Sequence, residues 1–211
     1  MRTNYLTFCG VFRNEAPRVR HVLDIVSKLC TELVIVVQES EDATEQICRE
    51  YTDNVFAHPP QSPEESKDFI LEKVQTPWTL WFDADEIPSL ELIRYIETFN
   101  PKNVEGYDGL AFPRVNYVDG LIVTGGQGKN APQFRMLRKD VRWKPELQGG
   151  RIHIHPLVYH RLDVNKPLYH IRTLEKVKKQ TERWNELQPG LAEVCNKYVE
   201  EVEKELCQIK N

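Results

Sequence analysis

Apolar residues in the first half of the chain alternate between short unbroken runs and helical stripes. Residues 5–12 form a compact β-prone run, and Arg13-Asn14-Glu15-Ala16-Pro17 follows as a turn, with Pro17 suited to the first turn of a helix. Val19, Val22, Leu23, Val26 and Leu29 recur at helical spacing and make one apolar face. Residues 33–37 are almost wholly β-branched without polar alternation, as in a parallel strand covered on both faces. A helix over 42–51, a strand over 54–57, a loop over 59–65 and a helix over 66–74 come next. Residues 79–82 make a further buried strand, which ends abruptly in Asp83-Ala84-Asp85-Glu86. This rhythm predicts βαβ units, hence an α/β fold with a mostly parallel sheet flanked by helices. Ligands of such sheets bind beyond the carboxyl ends of the strands. Three polar segments, 13–15, 38–42 and 83–86, are expected there, on one rim.

The second half is patterned differently. Residues 109–123 read as strand and turn, 125–130 as a Gly-rich loop, and 133–137 as a strand. Over 151–158 the pattern alternates, with His153 and His155 on one side and Ile152 and Ile154 on the other. After Leu168-Tyr169-His170, Thr173 can cap a helix running to about Leu187, where Pro189-Gly190 breaks it. Leu191, Val194, Cys195, Tyr198, Val202 and Leu206 form the stripe of a last, heavily charged helix. This stripe is expected to pack on the same domain, although it is also where a longer chain can continue.

At 211 residues the chain suits one domain, and 40% hydrophobic with 28% charged residues describes a globular protein. No apolar run approaches the ~20 residues of a membrane helix, so neither a membrane span nor a secretory signal is expected. A formal charge of −4 argues against nucleic acid as a partner. Cys9, Cys30, Cys48, Cys195 and Cys207 contain no Cys-x-x-Cys pair and mostly lie among apolar residues. They read as buried small hydrophobes in a reducing, cytoplasmic compartment rather than as a zinc or disulfide framework.

The chemistry centres on Asp83 and Asp85. Two carboxylates one residue apart at a strand end can face one hard cation, Mn2+ or Mg2+, whose remaining ligands come from substrate phosphates. The bland alternative is an acidic turn that caps a helix beginning near Pro88. No Gly-x-Gly-x-x-Gly and no P-loop follows a strand, so a nucleotide held here needs a metal and side chains for its diphosphate. His170 is a candidate third ligand, with Arg172 or Lys176 meeting the diphosphate. Its alternative is a helix-flanking histidine beside a solvated basic face, a reading that suits Lys178 and Lys179. Arg135 and Arg138 read by default as surface charge. His153 and His155 are either a metal or acid/base pair or structural strand histidines.

Taken together, residues 5–186 resemble the family 2 glycosyltransferases of the GT-A fold. Phe12-Arg13-Asn14-Glu15-Ala16 is similar to the Asn-Glu loop after that family's first strand. Val37-Gln38-Glu39-Ser40-Glu41-Asp42-Ala43-Thr44 is similar to its uracil-holding turn, and Trp81-Phe82-Asp83-Ala84-Asp85-Glu86 to its Asp-x-Asp-Glu. Leu168-Tyr169-His170 before a basic helix resembles the late histidine of the metal shell. The resemblance implies donor contacts from Val11, Arg13, Asn14, Glu15, Gln38, Lys67, Asp83 and Arg172, and metal ligation by Asp83, Asp85 and His170. Gln38 stands where the family usually has an Asp, which leaves the base preference open. The family's His-Glu after a Trp-containing strand has no counterpart. Trp143 is followed instead by Glu146 and His155, the first and second choices for a catalytic base.

The expectation is therefore a GT-A-like domain over 1–211. Residues 1–100, approximately, would form a nucleotide-binding half and 101–190 an acceptor-side half, with 191–211 a helix that can lead to further domains. Its partners would be a nucleotide-sugar donor, UDP in the first instance, and a carbohydrate or glycoconjugate acceptor. A sugar-1-phosphate nucleotidyltransferase and a non-catalytic nucleotide- or sugar-binding module are the alternatives. The first should carry a Gly-rich loop after its first strand, and the second should have lost the acid pair.

Overall fold

The computed structural model describes residues 3–58, 63–124, 131–143, 156–187 and 192–210. In the first half the elements are β1 (Thr3–Phe12), α1 (Ala16–Leu29), β2 (Cys30–Gln38), α2 (Thr44–Arg49), β3 (Val55–His58), α3 (Pro63–Lys73) and β4 (Trp78–Trp81). The second half contains β5 (Glu86–Pro88), α4 (Leu90–Glu97), β6 (Gly109–Phe112), β7 (Arg114–Val118), β8 (Leu121–Val123), β9 (Gln133–Arg138), β10 (Arg161–Asp163), β11 (Leu168–Arg172), α5 (Leu174–Leu187) and α6 (Ala192–Lys210). The βαβ half lies as the apolar pattern predicts. Helix α1 starts with a proline in its first turn. The Asp83 turn leads into the short strand β5 rather than directly into a helix, and Ser89 caps α4 by accepting from the Leu92 N–H at 3.1 Å.

Seven strands form the main sheet in the order β10-β6-β9-β4-β1-β2-β3, and only β9 runs antiparallel to its neighbours. The unbroken apolar strands are explained by burial on both faces. Phe8, Ile35 and Leu80 pack with α1 residues Val22, Leu23 and Val26 and with Leu92 and Ile96 of α4. On the other face Cys9, Val34, Val36 and Trp81 pack with Ile70, Leu71 and Val74 of and beside α3. Cys30 and Cys48 are buried as expected, whereas Cys207 is exposed.

A second sheet, ordered β5-β11-β7-β8, was not foreseen as a separate layer. Its strands are short and irregularly spaced in sequence, so the pattern of each looks like loop-bounded strand with no indication of partners. Register puts Glu86, His170 and Asn116 side by side across three strands. Helices α5 and α6 close one end, where Val177, Val202 and Leu206 pack on Val118 and Val123. Thr173 caps α5 as predicted, accepting from the Lys176 N–H at 3.1 Å. No helix among the described residues is long and apolar enough to cross a membrane.

Gly10 lets two core rings meet. Phe8 and Phe12 stack across it with centroids 6.4 Å apart, and a Cβ at Gly10 would lie 2.7 Å from the Phe12 ring. Phe12 is buried in the core, so its ring can move aside only against packed neighbours. Gly10→Ala should therefore destabilise the fold by about 1–3 kcal/mol, read from urea unfolding midpoints. An unchanged midpoint would show that the rings part without cost.

Candidate functional site

The carboxyl ends of β1, β2 and β4 bring the three polar segments together. The first two are laced to each other. Asn14 adopts φ of +51°, its N–H donates to Ser40 Oγ at 3.0 Å, and its Oδ1 accepts from the Glu41 N–H at 2.8 Å. The N–H groups of Glu15 and Ala16, at the start of α1, donate to Thr44 Oγ1 and Asp42 Oδ2. The slight burial of Asp42 is outweighed by its bonds from Thr44 and Ala16, which hold its pKa below the ordinary value. Asn14 is therefore engaged in joining the loops, and the Glu15 carboxylate looks elsewhere. Val11 is partly buried at the end of β1 beside Val36, and Arg13 is partly exposed at the rim.

Beside this rim α3 overhangs the end of β2. Gln38 is buried and donates from Nε2 to Ser66 Oγ at 3.2 Å. The Lys67 ammonium lies 4.0 Å from the centre of the Trp143 ring, which meets Trp81 edge-on.

At the end of β4 the two aspartates have different partners. Asp83 is 61% exposed and its Oδ2 accepts from Arg135 at 2.8 Å. Asp85 is 10% exposed; its Oδ1 lies 3.4 Å from His170 Nε2 and its Oδ2 3.1 Å from Lys176 Nζ. The same ammonium sits 2.7 Å from Glu15 Oε1, tying the rim of β1 to that of β4. The Asp85 backbone is tied to β11, since its carbonyl accepts from the Ile171 N–H at 2.8 Å.

The turn is held from inside by Glu86, whose side chain is fully buried. Its Oε2 accepts from the Asp83 N–H at 3.1 Å, while its own N–H donates to the Asp83 carbonyl at 3.0 Å. Its Oε1 accepts from Arg135 at 2.5 Å. Burial pushes the Glu86 carboxyl up to about 7 against the pull of Arg135. Burial likewise opposes the Arg135 charge, but Glu86 and Asp83 more than restore it. Arg135, read from sequence as surface charge, is thus a largely buried member of the site, with its side chain 14% exposed. Arg138 is exposed and pairs with Asp140, as the surface reading requires.

His170 is buried, and Nδ1 lies 2.9 Å from Asn116 Oδ1. Burial lowers its pKa, although Asp85 acts in the other direction. A neutral ring that gives its Nδ1 proton to Asn116 turns a bare Nε2 lone pair toward Asp85. Burial works against the Asp85 charge, yet its pKa is held well below the carboxylate range by its neighbours. His170 and then the ammonium of Lys176 are the neighbours that do this. In the neutral form of the ring two acceptors face each other across 3.4 Å, an arrangement that a cation between them would relieve. Among the described residues no group of three or more His, Cys, Asp or Glu side chains is placed to hold a metal. Asp85 and His170 can supply two ligands, which is the usual protein share when phosphate oxygens complete the shell. Arg172 is buried at the end of β11. Lys178 and Lys179 pair with Glu203 and Glu175 and form the expected solvated face. Glu146, His155, His153 and the loop at 125–130 lie outside the described residues, as do Pro189-Gly190 and Leu191.

Sequence reasoning missed Asn116, Arg135 and the Glu15–Lys176 link. The one available signal for Arg135 was its place between Phe134 and Met136 in a strand.

A protein-family model described as glycosyl transferase family 2 matches residues 8–142. Crystal structures of TarS from S. aureus share the fold. One aligns with a TM-score of 0.53 at 14% identity, covering 84% of this chain and 39% of that one. TarS 1–349 in complex with UDP gives 0.55 at 15% identity, over 84% and 63%. TarS 1–349 with UDP-GlcNAc gives 0.51 at 13%, over 79% and 58%. The chain thus spans well under two thirds of the length of TarS. No curated protein sequence matches it.

Breaking the Glu86–Arg135 pair from one side leaves a charge that has lost its most buried partner, with Arg135 keeping the exposed Asp83 and Glu86 keeping the Asp83 N–H. Glu86→Leu or Arg135→Met should each cost about 3–5 kcal/mol, and the double variant should recover much of that loss. Urea unfolding of the four proteins measures the coupling, and additive losses would show that the pair is not a unit.

Proposed function

This chain belongs to glycosyl transferase family 2 and has that family's GT-A-like fold. From that premise we propose that it is a metal-dependent transferase moving a hexose or deoxyhexose from a nucleoside-diphosphate sugar, with UDP as the nucleotide, to a hydroxyl of a glycan or glycoconjugate. The observation that carries this reading is His170 Nε2 facing the Asp85 carboxylate beside a lysine, at the strand ends where such folds bind ligands.

A bound Mn2+ or Mg2+ would supply Lewis-acid neutralisation of the charge that develops on the departing diphosphate. Asp85 and His170 would hold it, and Asn116, 2.9 Å from Nδ1, would leave Nε2 as the ligating atom. Asp83, exposed and steadied by Arg135, would contact the donor's ribose or join the metal shell. Arg172 and Lys176 would meet the diphosphate, and Val11, Arg13, Asn14 and Glu15 border the same rim. Gln38 and Lys67, at the overhang of α3, would meet the base side of the donor. An inverting transfer also needs a group to take the acceptor proton, and Glu146, then His155, is proposed for it.

Calorimetry with UDP should show binding that requires Mn2+ or Mg2+ and is largely lost in Asp85→Ala. Gln38→Ala should keep binding UDP but discriminate less against other nucleoside diphosphates. Equal affinity in EDTA overturns the metal role, and unchanged base preference overturns that of Gln38. The donor sugar is found by screening nucleotide sugars for Mn2+-dependent hydrolysis.

Glu146→Gln keeps the size of the side chain and removes its basic oxygen. If Glu146 is the base, transfer should fall by about 100-fold or more while UDP affinity stays within experimental scatter. Near-normal transfer eliminates it, and His155→Ala is then the variant to assay.

A further inference from the structure

Lys176 occupies a position that its neighbours do not leave open to a second cation. It projects from the first turn of α5, and its ammonium lies 2.7 Å from Glu15 and 3.1 Å from Asp85. The side chains of Lys176, Glu15 and Asp85 are only 22%, 17% and 10% exposed, so water screens these charges weakly. Both Asp85 oxygens are engaged: Oδ2 takes the ammonium and Oδ1 faces His170. A divalent cation arriving at Asp85 and His170 would share one carboxylate with a positive charge a few ångströms away. Coulomb repulsion at that range outweighs what a flexible lysine stem loses by changing rotamer. The ammonium must then leave Asp85, and among the described residues Glu15 is the ion-pair partner that remains to it.

We propose that Lys176 is a resident counter-cation that couples metal binding to diphosphate binding. Resting on the metal reading above, the inference adds that the site is closed to free metal until an anionic diphosphate gives Lys176 a new partner. Metal and nucleoside diphosphate then bind as a cooperative pair, and the coupling is reciprocal: each raises the affinity of the other by the same factor.

Mn2+ binding followed by electron paramagnetic resonance, with and without UDP, tests this on the intact chain. Wild type should bind Mn2+ weakly alone and about tenfold or more tightly with UDP. Lys176→Met should bind Mn2+ alone about tenfold more tightly than wild type, with the enhancement by UDP reduced severalfold. Lys176→Arg keeps the charge and should behave as wild type, which separates electrostatics from damage to α5. If Lys176→Met binds free Mn2+ no more tightly than wild type, or keeps the full enhancement, the coupling is overturned and the metal site stands. If no variant binds Mn2+ even with UDP, the metal reading fails and the coupling with it.

Discussion

A carboxylate removed from water has to be met by a cation and by hydrogen-bond donors, and Glu86 is such a carboxylate at the centre of this molecule. Arg135 comes to it from the main sheet, and the Asp83 N–H comes from the turn it closes. Strand β5 begins at Glu86 and pairs with β11, so the same residue joins the main sheet to the second one. The position of Asp85 follows. Its backbone is pinned to β11 and its side chain is delivered to His170, the residue beside Glu86 in the register. A turn of four residues therefore has little freedom left once Glu86 is satisfied.

This arrangement divides the work between the sheets. The parallel sheet, buried on both faces, provides a rigid rim where β1, β2 and β4 end together. The second sheet provides the row Glu86, His170 and Asn116, which orients the histidine ring. Lys176 spans the two by bonding Glu15, 161 residues earlier, together with Asp85. Charges from the first, middle and last thirds of the chain thus meet in a partly dry space, where each perturbs the others more than it would in water. Electrostatic balance at such a site is a property of the set, and changing one member alters what its neighbours can bind.

The matched family region ends at residue 142, before His170, Arg172 and Lys176. They reach the rim from β11 and α5, late in the chain, and are brought to the end of β4 by the pairing of β11 with β5 and β7.

Much of this was legible in the chain. Two-faced burial requires continuous apolar strands, so residues 33–37 and 79–82 announced a parallel sheet, and Val19 to Leu29 announced its covering helix. A polar run after each strand then announced the rim, and Asp83-Ala84-Asp85 its acidic centre. Local pattern could not announce Arg135, because a strand arginine looks the same whether it faces solvent or a buried glutamate 49 positions away. Nor could it reveal that Asp83 and Asp85 turn to different partners, or that Lys176 reaches Glu15. Hydrophobic periodicity records which face of an element is buried, and does so residue by residue. Pairing between charges records which elements become neighbours, and that is decided only when the short strands β5, β7 and β11 find their register and bring Glu86, His170 and Asn116 into one row.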